Sequence, residues 1–233
     1  QMCIRDSFES IPEVIKVIES YDTTTVRASV GNYLVAKYIS KNSDAKVIFN
    51  GDGSDELTGG YLYFNNSPSL LDSDYESERL LSDISYFDVL RSDKTISSCG
   101  LEPRTPFLDK SFIELYRSVP IEYRYQKGEI EKKLLRDSFK KDNLLPYEVL
   151  YRTKEAFSDG VSSMEKSWFS IIQSKVLNTK YQLVDTEWNK PTTPEQEYYR
   201  YLFEKEYFKK GKIIPYFWMP NWSNTVDPSA RTL

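Results

Sequence analysis

Histidine is absent from the 233 residues of this chain, and cysteine occurs only as Cys3 and Cys99. Without histidine, the chain alone cannot build a Ser-His-Asp or Cys-His nucleophilic system or a His-ligated metal site. Two distant cysteines are too few for a disulfide framework or a Cys-rich zinc site, which is consistent with a reducing compartment. The composition therefore excludes these catalytic and metal-binding classes.

Long hydrophobic runs and an excess of positive charge are also missing. No apolar stretch approaches the roughly 20 residues that span a bilayer, and no secretory signal pattern is present. The net charge of −4 argues against a nucleic-acid-binding protein, because such proteins neutralise phosphates with a basic face. With 39% hydrophobic and 28% charged residues, the chain is typical of a globular protein with one or two domains and a real core.

A glycine-rich acidic loop at residues 50–56 is the most informative feature that is present. It reads Asn-Gly-Asp-Gly-Ser-Asp-Glu and follows the apolar run Val47–Phe49, which predicts a buried strand ending in a turn. In an open α/β sheet, ligands bind beyond the carboxyl ends of the strands. Gly51 and Gly53 permit positive φ and close approach of the backbone to a ligand. The carboxylates suit Mg²⁺, which uses one or two carboxylates together with substrate phosphates.

The spacing of this loop also allows simpler interpretations. Gly-Asp-Gly-Ser is ordinary turn chemistry, so a solvated turn is the favoured interpretation of the loop taken alone. The loop lacks the Asp-x-Asp-x-Asp-Gly spacing of a calcium site. On its own residues, the choice between a turn and a binding site stays open.

Helical periodicity dominates the rest of the chain. Ser10-Ile-Pro-Glu13 has the form of a capping box, and Thr193-Pro-Glu-Gln196 predicts the start of another helix. The predicted helices after the first one cover residues 26–40, 76–90, 111–119, 129–140, 147–150, 163–177 and 193–208.

The remaining pattern predicts loops, one charged surface and very little sheet. The polar stretches 65–77 and 180–193 predict surface loops. Lys132, Lys133 and Arg136 are interpreted as one charged helix face. A single strand among many helices is unusual for an α/β domain, since a stable sheet needs three or more strands or a covering helix layer.

Several collinear blocks give the chain a family resemblance. Residues 47–64 resemble the central motif of the synthetase domain of glutamine-hydrolysing asparagine synthetase, in the longer, eukaryotic-style form of that family. The resemblance extends from about Phe8 to Leu233. The further blocks that agree in order are residues 21–29, 100–109, 131–136, 152–160, 218–220 and 227–233.

The resemblance implies an α/β fold of the adenine nucleotide alpha-hydrolase class, the PP-loop ATP pyrophosphatases. Residues 1–7 match nothing in the family and are expected to be an artefactual start. Residues 8–233 then form the carboxyl-terminal part of the synthetase domain. Because the family assembles its sheet largely upstream of residue 8, we expect a mostly helical structure with few parallel strands. The upstream glutaminase domain and a Ser-Gly-Gly-x-Asp-Ser phosphate loop are missing, so we expect little or no activity from this chain alone.

The resemblance further implies ATP-dependent amidation of aspartate through β-aspartyl-AMP, with Mg²⁺ and glutamine-derived ammonia. It implies a cytosolic enzyme, with a possible homodimer formed through the missing amino-terminal region. Two other hypotheses stay open: a β-lactam synthetase-like enzyme that adenylates a carboxylate, and a non-catalytic interaction module.

The residues of the acidic loop take roles only by their match to the family. Asn50, Gly51, Gly53 and Ser54 occupy ATP-binding positions, with Asn50 standing where the family has Ser. Asp55 matches the carboxylate for Mg²⁺-pyrophosphate. Residue 52 is Asp where the family has a Glu associated with adenylate formation. Because Asp is one methylene shorter, its carboxylate does not reach as far, and misplacement of a catalytic group by about 1 Å can cost on the order of 100-fold in rate.

Two cations complete the expected site. Arg104 has a structural interpretation, as an ion pair with Glu102 or Asp109. It also has a functional interpretation as a contact for aspartate or phosphate, because a guanidinium recognises carboxylates bidentately. Lys154 matches a lysine that faces the phosphates and the intermediate, although a lone lysine is usually just solvated. The resemblance places both in catalytic roles.

Overall fold

Helices make up most of this computed structural model, which describes residues 4–125, 127–141, 144–154, 168–177, 179–184, 187–225 and 228. Short 3₁₀ turns cover Leu62–Asn66, Ile84–Tyr86, Pro106–Leu108 and Gly211–Ile213. The helices are α1 Ile4–Glu9, α2 Ile11–Ile18, α3 Thr23–Asn42, α4 Ser54–Thr58, α5 Leu70–Asp83, α6 Asp88–Ser97, α7 Lys110–Ser118, α8 Ile121–Arg124, α9 Lys133–Lys140, α10 Tyr147–Leu150, α11 Trp168–Val176 and α12 Pro194–Glu206. Within the described ranges, no helix is long and apolar enough to cross a membrane.

Among the residues that the structure describes, two strands form a sheet. β1 (Val47–Phe49) and β2 (Glu102–Arg104) run parallel in a two-stranded sheet. A mostly helical chain with a small parallel sheet agrees with the expected α/β fragment. The second strand was not predicted, because Glu-Pro-Arg carries no β-propensity signal.

The chain divides into two compact units. Unit 1 comprises residues 1–48, 85–104 and 157–218, and unit 2 comprises residues 49–84, 105–156 and 219–233. Of the residues assigned to the site from the sequence, only Arg104 belongs to unit 1. Unit 2 therefore holds the acidic loop and Lys154.

Unit 1 has a core of buried apolar side chains from α2, α3, α11 and α12. In α2 the apolar residues recur at helical spacing, which places them on one buried stripe. Burying a large aliphatic or aromatic side chain stabilises the fold by about 1.5–3 kcal/mol. The buried core residues are Ile11, Val14, Ile15, Ile18, Tyr21, Val26, Val30, Tyr33, Ile172, Val176, Tyr199, Phe203 and Ile214.

An ion pair lies inside this core. The guanidinium of Arg27 donates from Nε to Glu195 Oε1 at 2.8 Å and from Nη2 to Oε2 at 2.7 Å. Both side chains are buried, and Gln173 Nε2 donates a third bond to Glu195 Oε2 at 3.1 Å. The pair ties α3 to α12 across the core, with bidentate geometry that satisfies both carboxylate oxygens.

Asp22 is the N-cap of α3 and is fully buried. Its Oδ2 accepts from the Thr25 backbone N–H at 2.9 Å, and its Oδ1 accepts from the Trp218 N–H at 2.8 Å. Burial raises the pKa of Asp22 to about 6, although these hydrogen bonds oppose the rise and the neighbouring Asp88 adds to it.

The raised pKa of Asp22 predicts a pH-dependent stability. Between about pH 4 and pH 6 the folded state holds a proton that the unfolded state has lost, so the free energy of unfolding falls as pH rises, by roughly 1.4 kcal/mol per pH unit. We expect Asp22→Asn to remove this slope, as measured by urea unfolding at pH 4.5, 5.5 and 6.5. The control Asp44→Asn, at an exposed position, keeps it. An unchanged slope in Asp22→Asn contradicts the assignment.

Three local predictions from the sequence were wrong. β1 is not buried: Val47 and Phe49 are 45% and 75% exposed, because a two-stranded sheet leaves its faces uncovered. Ser10 makes no side-chain cap; it lies in helical backbone after α1 and donates its hydroxyl to Ser7 O. The predicted loop at 65–77 contains the start of α5, because the Ser69 hydroxyl accepts from the Asp72 N–H and caps a helix there.

Other predicted helix boundaries either differ from those of the structure or are confirmed by it. The helix predicted over 76–90 is the second half of α5, a 3₁₀ turn and the start of α6. Thr193 caps α12 by accepting from the Gln196 N–H, as its motif predicted. Residues 1–3, 155–167 and 229–233 lie outside the described residues, and parts of the sequence blocks 152–160 and 227–233 lie there with them.

Candidate functional site

The acidic loop is a tight turn that leads directly into α4. Asn50 Oδ1 accepts from the Asp52 N–H at 3.1 Å, and the Ser54 N–H donates to Gly51 O at 3.2 Å. Gly53 has φ +87°, and a Cβ there would lie 2.3 Å from Leu108 Cδ2. Gly53 therefore adopts the positive φ that glycine permits, as predicted, and a larger residue there would clash with Leu108, whereas Gly51 does not adopt positive φ.

Asp55 is held between two lysines of unit 2. Its Oδ1 lies 2.9 Å from Lys132 Nζ, and its Oδ2 lies 2.8 Å from Lys154 Nζ. The exposed fractions of the Asp55, Lys132 and Lys154 side chains are 19%, 20% and 16%. The structure thus brings together two of the residues that the sequence assigned, Asp55 and Lys154.

The two ammonium groups control the charge of Asp55. Burial by itself raises the pKa of this carboxyl, but the positive charges of Lys154 and Lys132 outweigh burial and hold the pKa below its ordinary value. Asp55 is therefore a carboxylate at neutral pH. The cluster carries two positive charges against one negative charge, which leaves it suited to an anionic ligand.

Lys132 is the member of the cluster that the sequence interpretation missed. It was assigned to a charged helix face, but α9 begins one residue later and Lys132 precedes it with φ 60°. Its Nζ also donates to Ser54 Oγ at 3.0 Å. The available signal was that residues 131–136, which include Lys132, form one of the blocks that resemble the family.

Lys154 has a second contact, with an aromatic ring. Its Nζ lies 5.0 Å from the centroid of the Tyr61 ring, in cation–π geometry. The hydroxyl of Tyr61 donates to the buried carboxylate of Glu56. Tyr61 and Glu56 therefore fix the direction from which Lys154 reaches Asp55.

Gly60 leaves the space in which the Asp55–Lys132 pair forms. A Cβ at this position would lie 2.2 Å from Asp55 Oδ1 and 2.6 Å from Lys132 Cε. These distances are far below van der Waals contact. A side chain at residue 60 is thus incompatible with the pair as it stands.

We expect Gly60→Ala to displace the ion pair and to lower the free energy of unfolding by about 1–3 kcal/mol, the usual cost of overpacking. Urea denaturation of the variant measures the change. Gly128→Ala is the control, since a Cβ there strains a backbone of φ +77° but meets no atom within 4 Å. Crystal structures of both variants report the Asp55–Lys132 distance, which should lengthen only in Gly60→Ala. An unaltered distance in Gly60→Ala contradicts the prediction.

Asn50 offers an open hydrogen-bond donor at the loop. Its Nδ2 is buried and has no hydrogen-bond partner among the described residues. A buried donor without a partner costs about 1–3 kcal/mol, so such a group usually serves a ligand or a water. This observation agrees with the ATP-binding position assigned to Asn50, which stays a prediction, as does the role of Asp52.

Arg104 forms the structural ion pair that is one of its two interpretations from the sequence. On β2, its Nη2 lies 2.6 Å from Glu102 Oε1, and both side chains are 58% exposed. The ion pair with Glu102 is therefore confirmed. Recognition of a substrate carboxylate by Arg104 stays a prediction.

The donor set at Asp55 suits a metal that arrives with a phosphate ligand. Within the described parts of the chain, no group of three or more His, Cys, Asp or Glu side chains converges as a metal cage. Mg²⁺ needs only one or two protein carboxylates when phosphate oxygens and water complete its octahedron. One carboxylate flanked by two lysines fits a metal–polyphosphate complex better than a bare cation.

Comparison with known proteins agrees with the family resemblance of the sequence. A family model described as asparagine synthase matches residues 3–76 and 71–202. The chain is 51% identical over 234 residues to a protein of Gallus gallus named asparagine synthetase (glutamine-hydrolysing). It is 49% identical over 237 residues to the protein of that name from Homo sapiens. Each alignment covers 98% of this chain and 42% of the relative, so the chain spans about two fifths of their length.

Proposed function

This chain belongs to the asparagine synthase family, and we propose from that premise that it is part of an ATP-dependent ligase that converts aspartate to asparagine with ammonia from glutamine. The relatives named above carry the name glutamine-hydrolysing asparagine synthetase. The observation that supports the proposal most is the Asp55 carboxylate paired with Lys132 and Lys154 beside the acidic loop. We place the fold, on the same premise, in the PP-loop ATP pyrophosphatase class.

The proposed chemistry has two steps. A side-chain carboxylate oxygen of aspartate attacks the α-phosphorus of ATP, the bond to the β-phosphate breaks, and β-aspartyl-AMP and pyrophosphate form. Ammonia then attacks the acyl carbon, and AMP leaves as asparagine forms. Neither step needs histidine, because the main requirements are alignment of the reactants and stabilisation of phosphate charge.

The residues of unit 2 meet those requirements. Lys154 supplies a preorganised positive charge that Tyr61 holds from one side. Asn50 Nδ2 supplies a buried donor for the nucleotide. Asp55 would hold Mg²⁺, which neutralises charge on the pyrophosphate oxygens when it is bound.

Occupation of the site requires a change of partners at Asp55. Both of its oxygens now contact lysine ammonium groups, at 2.9 and 2.8 Å. A phosphate ligand would give Lys154 a new anionic partner, and the Asp55 carboxylate would then be available to hold Mg²⁺. The ion pair therefore keeps the carboxylate ionised and oriented until the ligand arrives.

The proposal is tested on the full-length protein that contains this chain. With aspartate, ATP, Mg²⁺ and glutamine we expect asparagine, AMP and pyrophosphate in equal amounts. Omission of glutamine and addition of ammonium salt should retain the reaction, because ammonia is the nucleophile. Formation of ADP and phosphate, or no aspartate-dependent product at all, overturns the proposal.

A further inference from the structure

We infer that Lys132 is a positioning residue of the pyrophosphate site, which holds the Asp55 carboxylate and the Ser54 hydroxyl in the orientation that receives a metal-bound pyrophosphate. This inference rests on the proposed function and adds a residue to which that function had assigned no role. Lys132 acts through its two neighbours rather than on the substrate. Its own contacts, its backbone and the space around it each support this role.

The contacts of Lys132 link it to two adjacent residues of the site. Its Nζ lies 2.9 Å from Asp55 Oδ1 and donates to Ser54 Oγ at 3.0 Å. The contact with Ser54 Oγ is a hydrogen bond from the ammonium, whereas the contact with Asp55 Oδ1 is an ion pair without hydrogen-bond geometry. Ser54 and Lys132 are 78 residues apart in sequence, so the contact is a product of the tertiary fold and not of helix periodicity.

The backbone of Lys132 is unusual for a residue with a side chain. Its φ of 60° lies in the left-handed region, which a lysine rarely adopts. Such a conformation persists where the surroundings favour it, as they also do at Glu19, Asn189, Lys209 and Trp222. At Lys132 it turns the chain into α9 while the side chain points to Asp55.

The space for the lysine stem comes from Gly60. A Cβ at Gly60 would lie 2.6 Å from Lys132 Cε, so any larger residue would push the stem away from Asp55. Glycine at residue 60 and the strained backbone at residue 132 are independent features of the chain. Both favour the same Asp55–Lys132 contact.

Lys132 and Lys154 have different tasks in this arrangement. Lys154 contacts Oδ2 and exchanges it for a phosphate oxygen, as proposed above. Lys132 contacts Oδ1 and Ser54, and retains both contacts while the ligand binds. Loss of Lys132 therefore frees the Asp55 side chain to rotate and weakens the complex with metal-bound pyrophosphate.

The test measures binding of magnesium pyrophosphate to the full-length protein by calorimetry. We expect Lys132→Met to raise the dissociation constant about tenfold, which is the usual effect of losing one charge-assisted hydrogen bond at the site. Lys133→Met is the matched control. The ammonium of Lys133 pairs with Asp137 at 2.7 Å on the surface of α9, so this variant should bind as the wild type does.

A double-variant cycle separates positioning from direct contact with the phosphate. If Lys132 acts through Asp55 and Ser54, Lys132→Met has a smaller effect on binding in Asp55→Asn than in the wild type, and no effect once Ser54→Ala is added. If its effect is fully additive to that of Asp55→Asn, Lys132 contacts the ligand itself and the inference is overturned. Alkylation of Lys132→Cys with bromoethylamine restores an ammonium at nearly the same position and should restore affinity. The wild type treated in the same way controls for modification of Cys99.

A crystal structure of Lys132→Met tests the positioning role of Lys132 without a measurement of ligand binding. We expect the Asp55 carboxylate to have turned away from its wild-type position, with Ser54 Oγ displaced. If both side chains stay in place and magnesium pyrophosphate binds with unchanged affinity, the inference is wrong while the proposed function stands. If the wild type binds no magnesium pyrophosphate, the proposed function fails, and the position of Asp55 in the variant alone decides the role of Lys132.

Discussion

Asp55→Asn lowers aspartate-dependent ATP–pyrophosphate exchange by the full-length protein by a factor of about 100 or more, the usual cost of removing one preorganised charged group from a site of this kind. Asparagine has the shape of aspartate but no negative charge. Lys132 and Lys154 then lose the charge of their common partner, and the site loses the carboxylate that we propose as the Mg²⁺ ligand. The exchange assay with radiolabelled pyrophosphate measures the effect on adenylation without the ammonia step.

Two controls make this result specific. Asp137→Asn removes a surface carboxylate that pairs with Lys133, and it should keep exchange within about twofold of the wild type because no contact with the site is lost. Circular dichroism should show that Asp55→Asn is folded. Near-normal exchange by a folded Asp55→Asn protein contradicts the role assigned to this residue.

Arg27→Met lowers the free energy of unfolding of the chain by about 3–5 kcal/mol, because it leaves the Glu195 carboxylate charged, buried and without its bidentate partner. The loss is large compared with the 5–15 kcal/mol by which most domains are stable. Urea denaturation followed by tryptophan fluorescence measures it. We expect loss of the folded state at much lower urea concentration than in the wild type.

Matched variants test whether burial of the Glu195 charge causes this loss of stability. Arg104→Met removes a guanidinium from an exposed pair and should cost about 0–1 kcal/mol. Adding Glu195→Gln to Arg27→Met removes the buried charge and should restore part of the lost stability. A cost below about 1 kcal/mol for Arg27→Met would show that Glu195 finds another partner or a proton.

The sequence predicted the local chemistry of the site well. The strand followed by a turn at residues 47–53 and the positive φ permitted at Gly53 follow from strand and turn chemistry, and the structure confirms both; the helix α4 that follows was not predicted. The N-cap at Thr193 was also predicted, because capping depends on residues within one turn. Asp55 and Lys154 were chosen by family resemblance, and the structure places them in contact.

The sequence did not reveal long-range partners. Lys132 looked like part of a charged helix face because Lys132, Lys133 and Arg136 have helical spacing, but the helix begins after it. Its left-handed backbone and the contact of its side chain with Asp55 beside Gly60 are not encoded by any local pattern. The burial of β1 was overestimated for a related reason, since an apolar run predicts a buried strand only where other strands cover it.

We propose that the Asp55 carboxylate, held by Lys132 and Lys154, receives a metal-bound pyrophosphate. An anomalous difference map of the full-length protein crystallised with manganese and pyrophosphate tests it most directly. We predict a manganese peak at coordination distance from an Asp55 oxygen, with Lys154 Nζ on a phosphate oxygen and Lys132 Nζ still between Asp55 and Ser54. A metal–pyrophosphate complex bound elsewhere, with both lysines still on Asp55, would contradict it.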